Sequence, residues 1–574
     1  MCGIFLLLNN FYNSNIVTQN SAIHNAFMNG KSRGPEVSTL VNFRMNAIAG
    51  FHRLAINGLN EESNQPLEID SISLICNGEI YNYKELYEMM DDVKPSTDSD
   101  CEVIIHLYKK FGIEYTLSVL DGVFAFALQD CRDVDFSIYL ARDPYGVRPL
   151  YELKTYNPNS HEKPYKNSFS FASEMKMLIE LKNNMFNGVT STISQFKPGT
   201  YSKLGFPQTV CGEWKYEIKE QRYNILPFTN NIQMSDELIT NMLQNVKMSL
   251  KNAVKKRVNN TDRPIACLLS GGLDSSLITA LVSEYYDSEK NGPLKTFSIG
   301  LPGSEDIKYA KKVADFLKTD HTSIEMSEKE FFDAIPEVIY AVETYDTTTV
   351  RASVGNYLVS KYISKHCDAK VIFNGDGADE VMGGYLYFHK CPNQLDFDRE
   401  CRRLVSNIHT FDVQRSDRSI SSNGLEPRTP FLDRGFVQAY FSLPAKVRYF
   451  PGNEGQREKY IIRKMFDDDN LLPKEILWRV KEAFSDGVSS QKNSWYSIIG
   501  KNLETVSKII DIPHKFNTPN TKEEKYYRKI FESHFPGCSS VIPYFWMPSY
   551  VDASDSSART LDVYNENMST TNEL

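Results

Sequence analysis

The first group in this 574-residue chain that can do chemistry is the thiol at position 2. Removal of Met1 would put the Cys2 thiol and a free α-amino group on one carbon, so the nucleophile would carry its own base. An α-amino group titrates near pH 8, roughly, and its neutral fraction can take the thiol proton directly or through water. The alternative is a small apolar Cys entering a strand over 3–8. Asn77-Gly78-Glu79 sets a side-chain amide beside a backbone N–H, the pair of donors that an oxyanion hole needs when a thiolate attacks a carbonyl. The same tripeptide also fits a type I′ hairpin turn after an apolar strand over 71–76. Arg53 and Asp100 offer the cation and the anion that an α-carboxylate and an α-ammonium require, or else they are ordinary surface charges.

A second constellation is Ser270-Gly271-Gly272-Leu273-Asp274-Ser275-Ser276, directly after an apolar strand over 264–269 and at the start of a helix over 275–286. Missing Cβ atoms let backbone N–H groups approach phosphate oxygens at the positive end of a helix, and the hydroxyls of Ser270, Ser275 and Ser276 add donors. On the plainer reading these residues only turn the chain and cap the helix. Asp274 is out of place in a site for anions alone; a carboxylate beside phosphates makes sense if it holds Mg²⁺, which prefers oxygen ligands. A second acidic loop, Asn374-Gly375-Asp376-Gly377-Ala378-Asp379-Glu380, follows a short strand over 370–373, its alternative being a Gly-rich turn with solvated acids. Gly30-Lys31-Ser32 imitates the end of a Walker motif, but Asn25 stands where the first Gly is needed, so it is set aside.

The elements that would position these groups fall into two textures. Residues 2–205 read as many short strands, including 123–129 and 136–140, which predicts an antiparallel sheet domain. A polar stretch over 206–234 reads as a connection. Over 235–555 strands and helices alternate, which predicts a parallel sheet covered on both faces, with ligands at the carboxyl ends of its strands. Residues 556–574, rich in Ser, Thr and Asn, read as a loose tail. A net charge of −9 without a basic cluster points to small-molecule partners rather than nucleic acid. Ten Cys without zinc or disulfide spacing suit a reducing compartment. The short apolar start is unlike a signal peptide and no run spans a bilayer, so a cytoplasmic protein with no membrane partner is expected.

The set Cys2-Gly3-Ile4, Arg33-Gly34-Pro35, Arg53-Leu54-Ala55-Ile56, Asn77 to Asn82, Asp100 and Asp143 to Leu150 resembles the class II glutamine amidotransferase domain. The resemblance implies an N-terminal-nucleophile αββα sandwich that hydrolyses glutamine, held by residues matching Arg53, Leu54, Ala55, Ile56, Asn57, Asn77, Gly78, Glu79 and Asp100. The heptad at 270–276 resembles the PP-loop of ATP pyrophosphatases, which implies adenylation with pyrophosphate as leaving group. Arg457-Glu458-Lys459, the segment Trp478 to Gly487, Glu343 to Asp346 with Arg351, Pro430 to Asp433 and His534-Phe535-Pro536 resemble segments of glutamine-hydrolysing asparagine synthetases.

That family implies an ATP site on Leu268, Ser270, Gly271, Gly272, Asp274, Ser275, Ser276, Ile299, Asn374, Gly375, Lys459 and Lys481. It also implies Mg²⁺ on Asp274 and Asp379, catalytic roles for Cys2, Asn77, Gly78, Asp376 and Lys481, and glutamine, aspartate and ATP as substrates. A homodimer and an internal passage for ammonia are implied as well. The sequence departs from the family at Asp376, where Glu is usual, at Asn374, where Ser is usual, and at Asn423 and Pro427. Two rivals stand beside this reading: a related amidotransferase adenylating another carboxylate, and, supported only by Asp376 and Asn374, a catalytically weak glutamine or nucleotide sensor.

Overall fold

The computed structural model describes residues 2–9, 16–156, 167–186, 188–207, 212–230, 234–453, 455–491, 493–506 and 516–564. It divides into two compact units, the first comprising 1–225 with 421–425 and 532–541, the second the remainder.

Two six-stranded antiparallel sheets build the first unit. One runs Thr190–Gln195, Tyr151–Tyr156, Phe169–Ala172, Gly3–Leu8, Ala47–Arg53, Val37–Phe43; the other runs Lys215–Arg222, Thr200–Phe206, Phe136–Arg142, Gly122–Asp130, Ile72–Ile80, Leu67–Ile69. Side chains alternate across each strand, so each sheet has two apolar faces to cover. Ile4, Leu6 and Leu8 meet Ile75, Ala125, Ala127 and Leu140 in a core between the sheets. The opposite faces are covered by helices. Phe5 packs on Phe27 of helix Ile16–Met28, while Leu74, Cys76 and Phe126 pack under helix Val103–Val119. The expected αββα sandwich is therefore present.

The segment read as a connection contains the edge strand Lys215–Arg222, whose Tyr216 and Ile218 lean inward among exposed Lys and Glu. Long polar side chains masked its period of two. Residues 208–211 and 231–233 of that segment lie outside the described residues.

The second unit holds a five-stranded parallel sheet in the order Asp320–Glu325, Lys295–Gly300, Ile265–Leu268, Val371–Phe373, Glu426–Arg428. Helices Asp236–Asn259, Leu273–Tyr285, Glu305–Leu317 and Thr347–His366 accompany it. Chain order reverses between Ile265–Leu268 and Val371–Phe373, so the loops leaving these neighbours part above the sheet and leave a crevice. Both loops that the sequence singled out emerge there. No described helix is long and apolar enough to cross a membrane, and no described Cys is in a disulfide.

The tail reading changes for residues 556–564. Leu561, Val563 and Tyr564 are buried, and Ser557 and Arg559 are bonded to the second unit. A hydrophilic composition concealed three apolar anchors. Residues 565–574 lie outside the described residues.

Candidate active sites

In the first unit, Cys2 precedes strand Gly3–Leu8, and its Sγ lies 3.7 Å from the Leu54 carbonyl oxygen. The buried Arg33 donates from Nε to the Cys2 carbonyl at 3.0 Å and from Nη1 to Ser421 Oγ at 2.9 Å, which fixes the backbone behind the thiol. His52 pairs with Gly3 across the sheet but is not a base for the thiol. Its ring nitrogens are engaged by Ser38 and the Phe27 carbonyl, and burial pushes its pKa down to about 4.

Asn77 and Gly78 do not form a turn. They lie inside strand Ile72–Ile80, opposite Ala125 and Phe124. A Cβ on Gly78 would sit 2.5 Å from the Val123 carbonyl and 2.8 Å from Phe124 Cα, so the partner strand itself demands glycine. Asn77 Nδ2 lies 3.5 Å from Ser173 Oγ, which also accepts from the Ile4 N–H at 3.0 Å. Ser173 thus ties the oxyanion candidate to the strand of the nucleophile, a link with no local sequence signal. Asn77 Oδ1 is buried with no hydrogen-bond partner among the described residues.

Around these groups, Glu79 accepts from Asn57 Nδ2 at 2.5 Å, Asp100 accepts from the Ile80 N–H at 2.6 Å, and Ala55 N–H donates to Glu36 at 2.7 Å. Arg53 donates to Asn60 O and Asn64 Oδ1 and to Gly58 O, so its guanidinium shapes the loop beyond Ile56. Arg53, Glu79 and Asp100 are all buried, which rules out their being surface charges.

In the second unit, Gly271 has φ of 73°, a left-handed conformation that turns the chain from strand into helix Leu273–Tyr285. Ser275 Oγ accepts from the Ser270 N–H at 3.1 Å and shares a hydrogen bond with Ser270 Oγ at 3.0 Å, which closes the loop on itself. Ser276 Oγ is buried with no hydrogen-bond partner among the described residues. Leu268, Ser270, Gly272, Asp274, Ser275, Ile299, Asn374, Gly375, Asp376, Asp379, Lys459 and Lys481 all line one cavity of about 170 Å³. Gly271 and Ser276 shape the loop without lining the cavity.

Within the cavity two lysines and two aspartates alternate. Lys459 Nζ sits 2.7 and 2.6 Å from the Asp274 oxygens and 2.5 Å from Asp379 Oδ1. Lys481 Nζ sits 2.6 Å from Asp379 Oδ2 and 3.7 Å from Asp274. Burial would raise the Asp379 pKa, but Lys459 and Lys481 outweigh it and hold the carboxyl well below its ordinary value. Burial likewise opposes the charge of Lys481, yet Asp379 and Asp274 lift its pKa above the usual lysine range. The charges of the box cancel, so a polyanion entering with a divalent cation can exchange partners: ammonium groups to phosphate, carboxylates to metal.

Asp376 is held from one side. Its Oδ1 accepts from Arg415 Nη2 at 2.7 Å, while Oδ2 is buried with no hydrogen-bond partner among the described residues. Asn374 accepts from the Asp376 N–H at 3.3 Å and donates to Ser416 Oγ at 2.7 Å. Arg415 and Asp412, on helix Asp412–Ser421, were not found from sequence, because no local motif marks them; only the fold brings that helix to the loop. Arg351, grouped by the sequence with Glu343 to Asp346, is clamped by Glu523 and Asp555 at 2.7–2.8 Å; its neighbour Ala352 lines the cavity.

A sandwich with Cys2 at the head of its central strand and a parallel sheet that presents a glycine-rich loop together match the architecture of a two-domain amidotransferase with a nucleotide-using partner domain. Consistent with this, residues 1–206 match the glutamine amidotransferase domain, and residues 245–399 and 390–552 match asparagine synthase. The chain is 42% identical over 551 residues to asparagine synthetase [glutamine-hydrolyzing] of Gallus gallus, covering 93% of this chain and 94% of that one. It is 41% identical over 552 residues to the Homo sapiens protein of the same name, with the same coverage. The chain belongs to the glutamine-hydrolysing asparagine synthetase family.

Proposed function

We propose that this protein makes asparagine from aspartate, ATP and the amide nitrogen of glutamine. The observation that carries the reading is the Asp274–Lys459–Asp379–Lys481 box beneath the Ser270–Ser276 loop, because neutral alternation of buried charges suits an ATP site and serves no evident packing need. In the first unit, once Met1 is removed, the Cys2 α-amino group takes the thiol proton and the thiolate attacks the glutamine amide carbon. Asn77 Nδ2 and the Gly78 N–H receive the developing oxyanion, while Arg53, Glu79 and Asp100 hold the α-carboxylate and α-ammonium ends. In the second unit the aspartate β-carboxylate attacks the ATP α-phosphorus, giving β-aspartyl-AMP and pyrophosphate, and ammonia then displaces AMP. Lys459 and Lys481 meet the phosphate charge, and Asp376, oriented by Arg415, stands beside the acceptor.

Asp274 and Asp379 fit Mg²⁺, which usually takes one or two protein carboxylates and completes its shell with phosphate and water. When bound it would neutralise phosphate charge there. The proposal extends to a cytoplasmic homodimer.

The test is mass spectrometry of products from amide-¹⁵N-glutamine, aspartate, ATP and Mg²⁺. Labelled asparagine together with AMP is expected. Glutamate and ammonia without asparagine or AMP would mean that the second site is idle, as in the sensor reading, or that it uses another acceptor. Cys2→Ala is expected to abolish glutamine-dependent synthesis and keep synthesis from added ammonium; loss of both would contradict two separable sites.

A further inference from the structure

Lys481 lies on a segment that cannot hold its own shape. Residues 479–483 are in neither helix nor strand, and only the four-residue helix Phe484–Gly487 follows. The side chains from Val480 to Ser485 nevertheless form one wall of the cavity. Something outside the segment must fix it, since a cationic side chain left to wander would forfeit the placement that transition-state stabilisation needs.

The fasteners come from a distant part of the chain. Arg559 Nε donates to Glu482 Oε1 at 2.8 Å, and its Nη2 lies 2.7 Å from the same oxygen, with both side chains nearly buried. Tyr564 OH donates to Glu482 Oε2 at 3.1 Å. Arg559 Nη1 reaches the Ser490 carbonyl at 2.8 Å, just beyond the segment. Ser557 Oγ donates to Asp486 Oδ1 at 2.8 Å. The fastening stretch is itself anchored: Asp555 accepts two hydrogen bonds from Arg351, at 2.7 and 2.8 Å. Arg351 lies on helix Thr347–His366, whose Thr348, Ala352 and Asn356 form part of the same cavity. Residues 555–564 therefore run from one wall of the cavity to another.

We infer that the stretch Asp555–Tyr564 is a positioning strap, in which Arg559 acts through Glu482 to set Lys481 for nucleotide chemistry. The inference rests on the reading that Lys481 serves adenylation. Arg559 and Ser557 touch no substrate; they are positioning residues. Arginine suits the task because its planar fork engages Glu482 and the Ser490 carbonyl together, which a lysine cannot reproduce in full.

The experiment measures aspartate-dependent pyrophosphate release and glutamine hydrolysis on the full chain, for Arg559→Ala, Arg559→Lys, Ser557→Ala, Glu482→Gln and Lys481→Ala. For Arg559→Ala, kcat of pyrophosphate release should fall on the order of 10- to 100-fold, as for other groups that orient a directly acting residue. KM for ATP should move by less than about threefold, because the phosphate loop and Lys459 are untouched, and glutamine hydrolysis should be unchanged. Arg559→Lys should recover part of the loss. Arg559→Ala combined with Glu482→Gln should cost little more than either alone, since they act through one link. Full pyrophosphate release by both Arg559→Ala and Ser557→Ala would overturn the strap. So would parallel loss of both activities in Arg559→Ala while Ser557→Ala stays at the wild-type rate, which would mean that Arg559 only supports folding. If Lys481→Ala itself releases pyrophosphate normally, the failure lies with the role of Lys481 and not with the strap.

Discussion

Replacing Lys459 by Met would separate two tasks that one side chain combines. Lys459 is 1% exposed at its side chain and bridges Asp274 and Asp379, whose side chains are 17% and 15% exposed. Its backbone φ of 58° costs either unbranched residue about the same, so the substitution removes the charge with little change of shape. Removing one partner of a buried ion pair costs about 3–5 kcal/mol. Lys481 still reaches Asp379 at 2.6 Å, so the lower figure, about 3 kcal/mol, is appropriate. At roughly 2 °C per kcal/mol, the unfolding transition of the second unit should drop by about 6 °C without metal. Mg²⁺ narrows the gap between the two proteins. Two carboxylates that have lost their ammonium bridge bind the cation without displacing it, and a concentration of about 100 Kd contributes about 2.7 kcal/mol, nearly all of the deficit. The wild-type protein, where Lys459 competes, should gain less from the same Mg²⁺. The assay is thermal unfolding across a MgCl₂ series at constant ionic strength, without nucleotide. An unchanged melting temperature for Lys459→Met, or an equal Mg²⁺ response in the two proteins, would refute the claim that this lysine neutralises a metal-binding pair.

Gly78→Ala should lower glutamine hydrolysis on the order of 100-fold while sparing ammonia-dependent synthesis, because its Cβ meets the Val123 and Phe124 backbone, which cannot move aside as a side chain would; near-normal hydrolysis would count against Gly78 as an oxyanion donor. Asp306, near Arg479, has its pKa raised by burial to about 7, with Arg479 opposing the shift. The folded chain then holds this proton more tightly than the unfolded one, so its stabilisation is complete below about pH 4 and lost as pH rises through about 7. At ~1.4 kcal/mol per unit the span is at most about 4 kcal/mol, and Asp306→Asn should flatten that part of the urea-midpoint profile between about pH 4 and 7; an unaltered slope would exclude Asp306 as its source.

Much of the candidate site could be read locally because it is built from local geometry. A phosphate loop needs glycine between a strand and a helix, and both signals sit within a dozen residues at 264–276. Asn77-Gly78 shows the opposite case. A turn signal was overridden by pairing with residues 122–125, a partner remote in sequence whose register decides the outcome. Lys215–Arg222 hid its strand period because edge strands carry long polar side chains on both faces. Arg415 was invisible for a different reason: its place beside Asp376 depends on where a whole helix lands. Likewise the ion pairs of Arg351 with Glu523 and Asp555 join residues 172 and 204 positions apart, which no local motif marks.

The first compact unit is assembled from three stretches of chain, 1–225, 421–425 and 532–541. During synthesis from the amino terminus, therefore, the last stretch of this unit arrives about 300 residues after residue 225, which at roughly 5–20 residues per second is some 15 to 60 seconds. Through part of that interval the buried Arg33 lacks the Ser421 hydroxyl that it meets in the finished protein. The two units therefore mature almost together: the first receives its last stretch, 532–541, only shortly before the second receives residues 555–564.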